Sequence, residues 1–259
     1  MFLPAKKCDY DVLEIRCQLV KGLTVNKWFV LGQNRLFPPR CVLCGGSANG
    51  NMDLCEACRK DLPVNLHACS RCAMPVEQGE LCGQCLLHPL PVELAWAPFR
   101  YAPPLDFLIK EFKFERKLVY GRVLASLLAE TIQRRGIALP EYLVPVPLHS
   151  SRLRERGYNQ AQELVRAISR QLGVPAAANC CRRLRSTLPQ SGLSAVERAR
   201  NVRDSFSVNH SVASRHVALV DDVMTTGHTV MELAREFRRS GAGRVDVWVC
   251  ARAVSRHNI

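Results

Sequence analysis

The sequence predicts an α/β domain with a parallel sheet, preceded by a small cysteine-rich module. From residue 92 onward, runs of β-branched and apolar residues alternate with amphipathic segments, which is the pattern of a parallel sheet covered by helices on both faces. Upstream, eight of the 13 cysteines occur in CxxC pairs. The chain has 259 residues and is 47% apolar, enough for one full domain plus a small module.

The CxxC pairs form two copies of one unit, whose starts at Cys41 and Cys69 lie 28 residues apart. Each CxxC turn presents two thiolates to one ion, so two turns complete a tetrahedral zinc site. Four thiolates leave no open position on the metal, so we expect two structural zinc ions. The spacing disfavours the alternatives, disulfides or free thiols and an iron–sulfur cluster. The predicted ligands are Cys41, Cys44, Cys55, Cys58, Cys69, Cys72, Cys82 and Cys85.

The charge of the chain indicates an anionic partner. Formal net charge is +13, from 36 basic and 23 acidic residues, which favours nucleic acid, nucleotides or other phosphates. Solubility together with a phosphate-binding pocket is the alternative explanation. No apolar run reaches the roughly 20 residues of a membrane span, and Cys8 to Asp11 stand where a signal peptide would be apolar. We therefore expect a cytoplasmic protein without membrane insertion.

The sequence divides into three predicted regions. Residues 1–36 show no sustained period, so we expect a poorly ordered extension or translated upstream sequence; residues 37–90 form the zinc module and residues 91–259 the sheet domain. The elements predicted in the sheet domain are a strand over 92–101, a helix from Pro103, a helix over 119–135, a strand over 142–147, a helix ending at Leu172, strands over 180–184 and 206–208, and a last strand over 245–254.

The stretch HVALVDDVMTTGHTV, residues 216–230, is the most informative part of the chain. A buried strand over 217–220 is followed by Asp221 and Asp222, and a threonine-rich turn then opens a helix. A helix start offers free amides and a positive dipole end to a phosphate, and threonine hydroxyls add donors. The acids suit ribose hydroxyls or Mg²⁺. An ordinary helix cap would explain one threonine but not two crowded acids.

Two adjacent acids followed by T-T-G-x-T resemble the phosphoribosyl pyrophosphate (PRPP) motif of type I phosphoribosyltransferases. The order of cysteine ribbon, LIKEFKFERK, VPVPLHSSRLRERGYNQA, RSTLPQSGLSAVERARNV and VALVDDVMTTGHT resembles the ComF/GntX family of bacteria from about residue 37 to the end. The resemblance implies a parallel-sheet, type I phosphoribosyltransferase-like domain behind a double zinc ribbon. It also implies an association with DNA uptake or use of DNA as a nutrient.

The resemblance further implies roles for individual residues. Asp221 and Asp222 would hold the ribose hydroxyls and act with Arg185 as the catalytic set, and PRPP would bring Mg²⁺. The segment 185–206 is similar to the mobile loop that closes over PRPP in amidophosphoribosyltransferases. The residues implied for binding are Thr225, Thr226, Gly227, His228 and Thr229 for the 5′-phosphate, His149, Arg152 and Arg154 for pyrophosphate, and Gln190 and Arg198 on the mobile loop.

Two functions follow as hypotheses. The first is an enzyme that transfers phosphoribosyl from PRPP to a nitrogenous acceptor such as a nucleobase; no residue in the sequence identifies this acceptor. The second is a non-catalytic module that handles single-stranded DNA with DNA-uptake proteins and responds to PRPP. Residues 152–203 hold eleven arginines against three glutamates, but Tyr158 is the one aromatic residue there for base stacking. Phosphate chemistry and solvated helix faces also account for these arginines.

Overall fold

The computed structural model describes residues 39–48, 52–184, 205–208 and 212–254 of the chain. The predicted N-terminal extension lies outside these residues. The helices are α1 Glu56–Lys60, α2 Gly83–Leu87, α3 Leu105–Phe114, α4 Leu118–Arg134, α5 Ser150–Arg156, α6 Gln160–Leu172 and α7 His228–Arg239. The strands are β1 Leu94–Trp96, β2 Phe99–Arg100, β3 Tyr142–Pro145, β4 Cys181–Arg183, β5 Phe206–Val208, β6 His216–Met224 and β7 Arg244–Arg252.

The main sheet is parallel throughout, as the sequence predicts. Its order is β1-β7-β6-β3, and β2 also pairs with β7. The longest pairing joins β6 to β7, from His216 opposite Arg244 to Met224 opposite Arg252. The carboxyl ends of these strands therefore meet at one edge of the sheet, which is where ligands bind in open α/β folds.

Helices cover both faces of the sheet, and the side chains of β6 alternate between the two faces. Ala218 and Val220 belong to the apolar cluster that contains the buried faces of α3, α4 and α6. Val217 and Leu219 belong to a second cluster, which contains the buried face of α7. Among the described helices, none has the length and apolar content that crossing a membrane requires.

Three elements differ from the prediction. The strand predicted over 92–101 is two short strands, β1 and β2, separated at Pro98, which has no N–H to donate to a ladder. The helix predicted to end at Leu172 is α6, but the segment before it, which was not predicted to be helical, forms the additional short helix α5, which Gly157 ends at φ +78°. The segment before Leu184 was predicted to join the parallel sheet, but β4 instead pairs antiparallel with β5 in a separate two-stranded sheet.

The zinc module contacts the edge of the main sheet, and Pro39 onward belongs to a single compact unit. The Ser70 carbonyl accepts from the amide of Ala95 in β1 at 2.7 Å. Asn65, only 4% exposed, donates its side-chain amide to the carbonyls of Ala73 at 3.0 Å and Ala97 at 3.1 Å. A buried amide satisfied from both sides fixes the relative position of the two regions.

Helices α3 and α4 approach each other closely at Gly121. A Cβ atom at this position would lie 2.5 Å from the ring of Phe112, which is fully buried. Real contacts of that length do not occur, so only glycine allows α4 to lie this near α3. The end of α3 is thereby placed against the rest of the helical layer.

Candidate functional site

Two adjacent carboxylates lie near the carboxyl end of β6. Asp222 is 4% exposed, and its Oδ1 accepts from Lys113 Nζ at 2.9 Å and from the amide of Val223 at 2.6 Å. Asp221 is half-buried, and its Oδ1 accepts from the amide of Asp222 at 2.9 Å. Asp222 is therefore held by an ammonium and an amide, while Asp221 faces the opening beside it.

Burial and proximity shift the charge states of this cluster. Burial, and after it the charge of Asp222, raises the pKa of Asp221 from an ordinary 3.8 to about 7, while Lys113 opposes the shift. Burial alone would lower the pKa of Lys113, but the charge and hydrogen bond of Asp222 outweigh it, and the net pKa is raised. At neutral pH, Lys113 is therefore charged and Asp221 lies near its titration point.

The motif Gly157-Tyr-Asn-Gln160 positions Lys113. The Tyr158 hydroxyl donates to the Phe112 carbonyl, and Gln160 Nε2 donates to the Lys113 carbonyl at 3.2 Å. Asn159 caps α6 by accepting from the amide of Ala161 at 3.1 Å. It also donates to the Val146 carbonyl at 3.1 Å. The motif thus fastens the last turn of α3 to the end of β3, at the edge where the acids lie.

The threonine-rich turn joins β6 to α7 at the same edge. Gly227 has φ +81°, in the left-handed region that favours glycine, and its carbonyl accepts from the amide of Met231 at 2.9 Å. Within the described part of the chain, the backbone amides of Thr225, Thr226 and Gly227 donate to no protein acceptor. Amides without a protein partner at the positive end of α7 are the arrangement that binds a phosphate.

The acids, the turn and a group of cationic side chains line one cavity of about 290 Å³. Arg152, Arg156, Arg183 and Lys113 supply the cations. Burial, and after it the charge of Arg152, lowers the pKa of Arg183. Cations this close repel each other, so an anion placed between them would relieve the repulsion. The cavity therefore combines acceptors for hydroxyl groups with donors for two separate anionic groups.

The structure places the predicted site residues unequally. Asp221, Asp222, Arg152 and the segment 225–229 line the cavity. His149 is absent from the described lining; its Nδ1 caps α5 and lies 3.3 Å from the amide of Ser151. Arg154 is exposed on α5 and is also absent from that lining. The three predicted residues that lie outside the described part of the chain are Arg185, Gln190 and Arg198.

Sequence reasoning missed the three cationic residues of the cavity other than Arg152, namely Lys113, Arg156 and Arg183. Lys113 stands beside an apolar helical stripe and looks there like a solvated lysine. Arg156 and Arg183 are members of a long arginine-rich region, and nothing in their spacing separates them from their neighbours. The one available signal for Arg156 was its position directly before the GYNQ motif.

The eight predicted cysteines form two separate clusters. Within each cluster the four sulfur atoms all lie within 4.8 Å of one another. Cys44 and Cys55 have their sulfurs 3.7 Å apart, and Cys72 and Cys82 have theirs 3.6 Å apart. A Zn–S bond of about 2.3 Å in a tetrahedron requires sulfur separations of about 3.8 Å. The two clusters therefore fit zinc, and the predicted pair of structural zinc-binding sites is confirmed.

One thiol in each cluster has a lowered pKa. Burial raises the pKa of Cys41, but hydrogen bonds from the backbone amides of Cys55, Cys44 and Leu43 outweigh burial and bring it to about 6. At the equivalent position of the second cluster, backbone amides likewise bring the pKa of Cys69 to about 7. A thiolate is the form that binds zinc, so backbone amides bring these two thiols toward the ligand state. By contrast, the neighbouring Cys55 thiol and burial raise the pKa of Cys58, and burial raises the pKa values of Cys72 and Cys85.

The parallel sheet, with paired acids and a threonine turn at its carboxyl edge, defines a type I phosphoribosyltransferase-like domain joined to a double zinc ribbon. Residues 33–86 match the family described as "Double zinc ribbon domain". The chain is 36% identical over 223 residues to DNA utilization protein YhgH of Escherichia coli O157:H7, and the match covers 84% of this chain and 98% of that protein. It is 35% identical over 227 residues to Competence protein F of Haemophilus influenzae, covering 83% and 97% respectively.

The chain therefore belongs to the ComF/GntX family, the family of these DNA utilization and competence proteins. Among solved structures, glutamine PRPP amidotransferase from B. subtilis, complexed with ADP and GMP, matches with a TM-score of 0.38 and 17% identity. That match covers 55% of this chain and 30% of the other chain.

Proposed function

We propose that the cavity binds PRPP and that the protein transfers the phosphoribosyl group to a nitrogenous acceptor. One observation carries the proposal: paired acids, a turn whose amides have no partner among the described residues, and a group of arginines line the same cavity of about 290 Å³. PRPP requires all three, because it has a 5′-phosphate, two ribose hydroxyls and a pyrophosphate.

Each part of PRPP has a corresponding group in the cavity. The 5′-phosphate would accept hydrogen bonds from the amides of Thr225, Thr226 and Gly227 at the start of α7. The ribose hydroxyls would donate to Asp221 and Asp222, since ionised carboxylates only accept. The pyrophosphate would contact the arginines. Carboxylates are also ligands that Mg²⁺ prefers, so the acid pair fits the ion that accompanies PRPP.

The same arrangement suits the transfer reaction. The bond from C1′ to the pyrophosphate oxygen breaks and its electron pair leaves with pyrophosphate. The acceptor nitrogen forms the new bond to C1′ and afterwards loses its proton. Arg152, Arg156 and Arg183 would stabilise the charge that develops on the leaving group, and the acids would oppose the positive charge on the sugar. A nucleobase acceptor would connect the reaction to nucleotide metabolism during DNA uptake or utilisation.

Calorimetry with PRPP and Mg²⁺ tests binding, and pyrophosphate release with a panel of nucleobases tests transfer. We expect wild-type protein to bind PRPP, and the double variant Asp221→Asn, Asp222→Asn to lose both signals. Asp106→Asn is the control, because Asp106 forms a surface ion pair with Lys110 on α3. Wild-type protein that fails to bind PRPP, or a double variant that still binds it, would refute the proposal.

The names of the relatives favour a second function, the handling of single-stranded DNA together with DNA-uptake proteins. The crowded arginines of the cavity would serve a DNA backbone as well as a pyrophosphate. DNA binding depends steeply on salt through release of counterions. Affinity for a single strand that falls with salt and persists in the double aspartate variant would support this function over phosphoribosyl transfer.

A further inference from the structure

A single arginine joins the threonine turn to the second zinc ribbon. Arg252 is the last residue of β7 and is 7% exposed. Its Nη1 donates to the carbonyl of Met224 at 2.9 Å and to that of Thr225, while its Nε donates to the carbonyl of Cys72 at 2.9 Å. One guanidinium therefore holds the first residue of the turn and the backbone of a predicted zinc ligand.

The ribbon side of this connection is firmly held. The backbone around Cys72 contacts β1 through Ser70, and the Ala73 carbonyl accepts from the buried Asn65. Zinc held by the four thiolates of this cluster would fix the same turn from within. The Cys72 carbonyl is thus a fixed acceptor, against which the guanidinium can orient the turn.

Packing behind the turn is incomplete, although the Met224 carbonyl also accepts from the amide of Ala253 at 3.0 Å. A cavity of about 260 Å³ lies between ribbon and turn, with Cys72, Thr226, Gly227 and Arg252 among its lining residues. A close-packed interior restrains its backbone through many contacts, but a turn with open space behind it depends on its hydrogen bonds. The planar fork of arginine can bond to carbonyls on both sides of such a space, and the single ammonium of lysine cannot reproduce this geometry.

The charge of Arg252 is also compensated on the ribbon side. Its Nε lies 2.9 Å from the carbonyl of Cys72, a member of the second cluster. Four thiolates outweigh the charge of one Zn²⁺, so a loaded ribbon is net negative and stabilises a buried cation beside it.

We propose that Arg252 is a positioning residue that makes the second zinc ribbon a structural part of the phosphate-binding turn. This inference rests on the proposed function for its ligand. The first ribbon, whose Cys41 cluster is separate from Arg252, does not share the role.

Calorimetry with two probes on the full-length, zinc-loaded protein tests the inference. Ribose 5-phosphate reports on the turn, and magnesium pyrophosphate reports on the arginines elsewhere in the cavity. For Arg252→Lys we expect ribose 5-phosphate affinity to fall about tenfold to a hundredfold, the effect of losing one charge-assisted hydrogen bond. Pyrophosphate affinity and zinc content should stay at wild-type values. A general folding defect would lower both of these as well, so the combination distinguishes a positioning role from a structural one.

The matched control is Arg238→Lys, at the far end of α7. Arg238 also donates to carbonyls, those of Ala242 at 3.2 Å and Gly243 at 2.8 Å, so its replacement tests the loss of such contacts away from the turn. It should leave both affinities unchanged. Equal weakening of both probes by Arg252→Lys, or no weakening of either, overturns the inference.

Two further measurements keep the inference testable. Cys82→Ser and Cys55→Ser alter equivalent positions of the two clusters, and only Cys82→Ser should weaken ribose 5-phosphate binding. Equal weakening by both would refute the role of the second ribbon.

Hydrogen exchange needs no ligand. The Met231 amide, which donates to the Gly227 carbonyl, should exchange at least about tenfold faster in Arg252→Lys than in wild type. Unchanged exchange would refute the inference even if wild-type protein binds neither probe, a result that would refute the proposed function separately.

Discussion

At the scale of single residues, the cavity depends on how Lys113, Asp221 and Asp222 share charge. Lys113 pairs with Asp222 at 2.9 Å, and this leaves Asp221 as the acid whose pKa is raised to about 7. Because the pKa of Asp221 is raised in the folded protein, ionisation of this carboxyl near neutral pH destabilises the unliganded protein. The same carboxyl provides an acceptor that becomes fully ionised when a ligand or a cation arrives.

The first prediction concerns Asp221→Asn. A folded-state pKa above the ordinary 3.8 means that the folded protein holds the proton more tightly, so this group reduces stability as pH rises from about 4 to about 7. The variant retains the Oδ1 that accepts from the Asp222 amide but cannot ionise. We expect its free energy of unfolding at pH 8 to exceed that of wild type by about 1 kcal/mol, the shift discounted for partial exposure.

Urea unfolding at pH 5 and pH 8 measures this difference. The gain should shrink at pH 5, where wild-type Asp221 is protonated, and PRPP binding should be lost at both values. A gain that is larger at pH 5 than at pH 8 would contradict the raised pKa of Asp221.

The second prediction concerns Lys113→Met, which removes the partner of a buried carboxylate. We expect a loss of about 1–3 kcal/mol in the free energy of unfolding, together with a higher pKa for Asp221, which loses the opposing charge of Lys113. Lys110→Met is the control, because Lys110 forms an exposed ion pair on the same helix and such pairs contribute little. Thermal unfolding compares the two variants, and similar effects from both would show that the contact with Asp222 is unimportant.

At the scale of elements, the turn before α7 needs glycine for its backbone and open amides for its ligand. Gly227 has φ +81°, and its nearest neighbour for an added Cβ is Met224 at an ordinary 3.5 Å. The third prediction is therefore that Gly227→Ala costs about 1–2 kcal/mol through backbone strain alone and also weakens ribose 5-phosphate binding.

Gly173→Ala is the matched control for this prediction. Gly173 ends α6 at φ +70° with open space around an added Cβ, so it carries the same strain outside the lining of the cavity. Both variants should lose similar stability in chemical unfolding, whereas only Gly227→Ala should lose affinity in calorimetry. Equal affinities for the two variants would mean that the shape of the turn does not matter for binding.

The elements around the cavity were only partly predictable from the sequence. The strand, the acids and the turn lie within one short stretch, so local pattern was sufficient for them. The sequence did not separate the antiparallel β4–β5 pair from the main sheet. The three residues of β4, a cysteine followed by two arginines, have no pattern that favours β5 over a strand of the main sheet. Lys113 reaches Asp222 through a contact between residues far apart in sequence, and Tyr158 and Gln160 fix that contact. No window of sequence contains that information.

At the scale of the whole molecule, the ribbon and the sheet domain share buried polar contacts, which the sequence did not reveal. CxxC spacing specified the metal ligands because each turn is local, but the contacts of Asn65 and Arg252 depend on how the two regions meet. A residue such as Arg252, at the end of an apolar strand, resembles a strand terminator until its partners are seen.

The fourth prediction is that a strong chelator releases two zinc ions per chain and also destabilises the sheet domain. The ribbon supplies acceptors and donors at the sheet edge, so its unfolding removes them. We expect the melting temperature of the sheet, followed by tryptophan fluorescence, to which the buried Trp248 contributes, to fall by at least about 2–4 °C. Cys250→Ala, outside both clusters, should retain two ions. Unchanged melting after zinc removal would show that the two regions are independent.

We expect the absence of a side chain at Gly121 to influence the contact between Lys113 and Asp222. A Cβ at residue 121 would lie 2.5 Å from the ring of Phe112, and the next residue along α3 is Lys113, whose Nζ pairs with Asp222 at 2.9 Å. A methyl group at residue 121 would displace α3 and draw the ammonium away from its carboxylate. We therefore expect the close fit of the two helices at Gly121 to influence the proton affinity of Asp221, whose pKa Lys113 lowers.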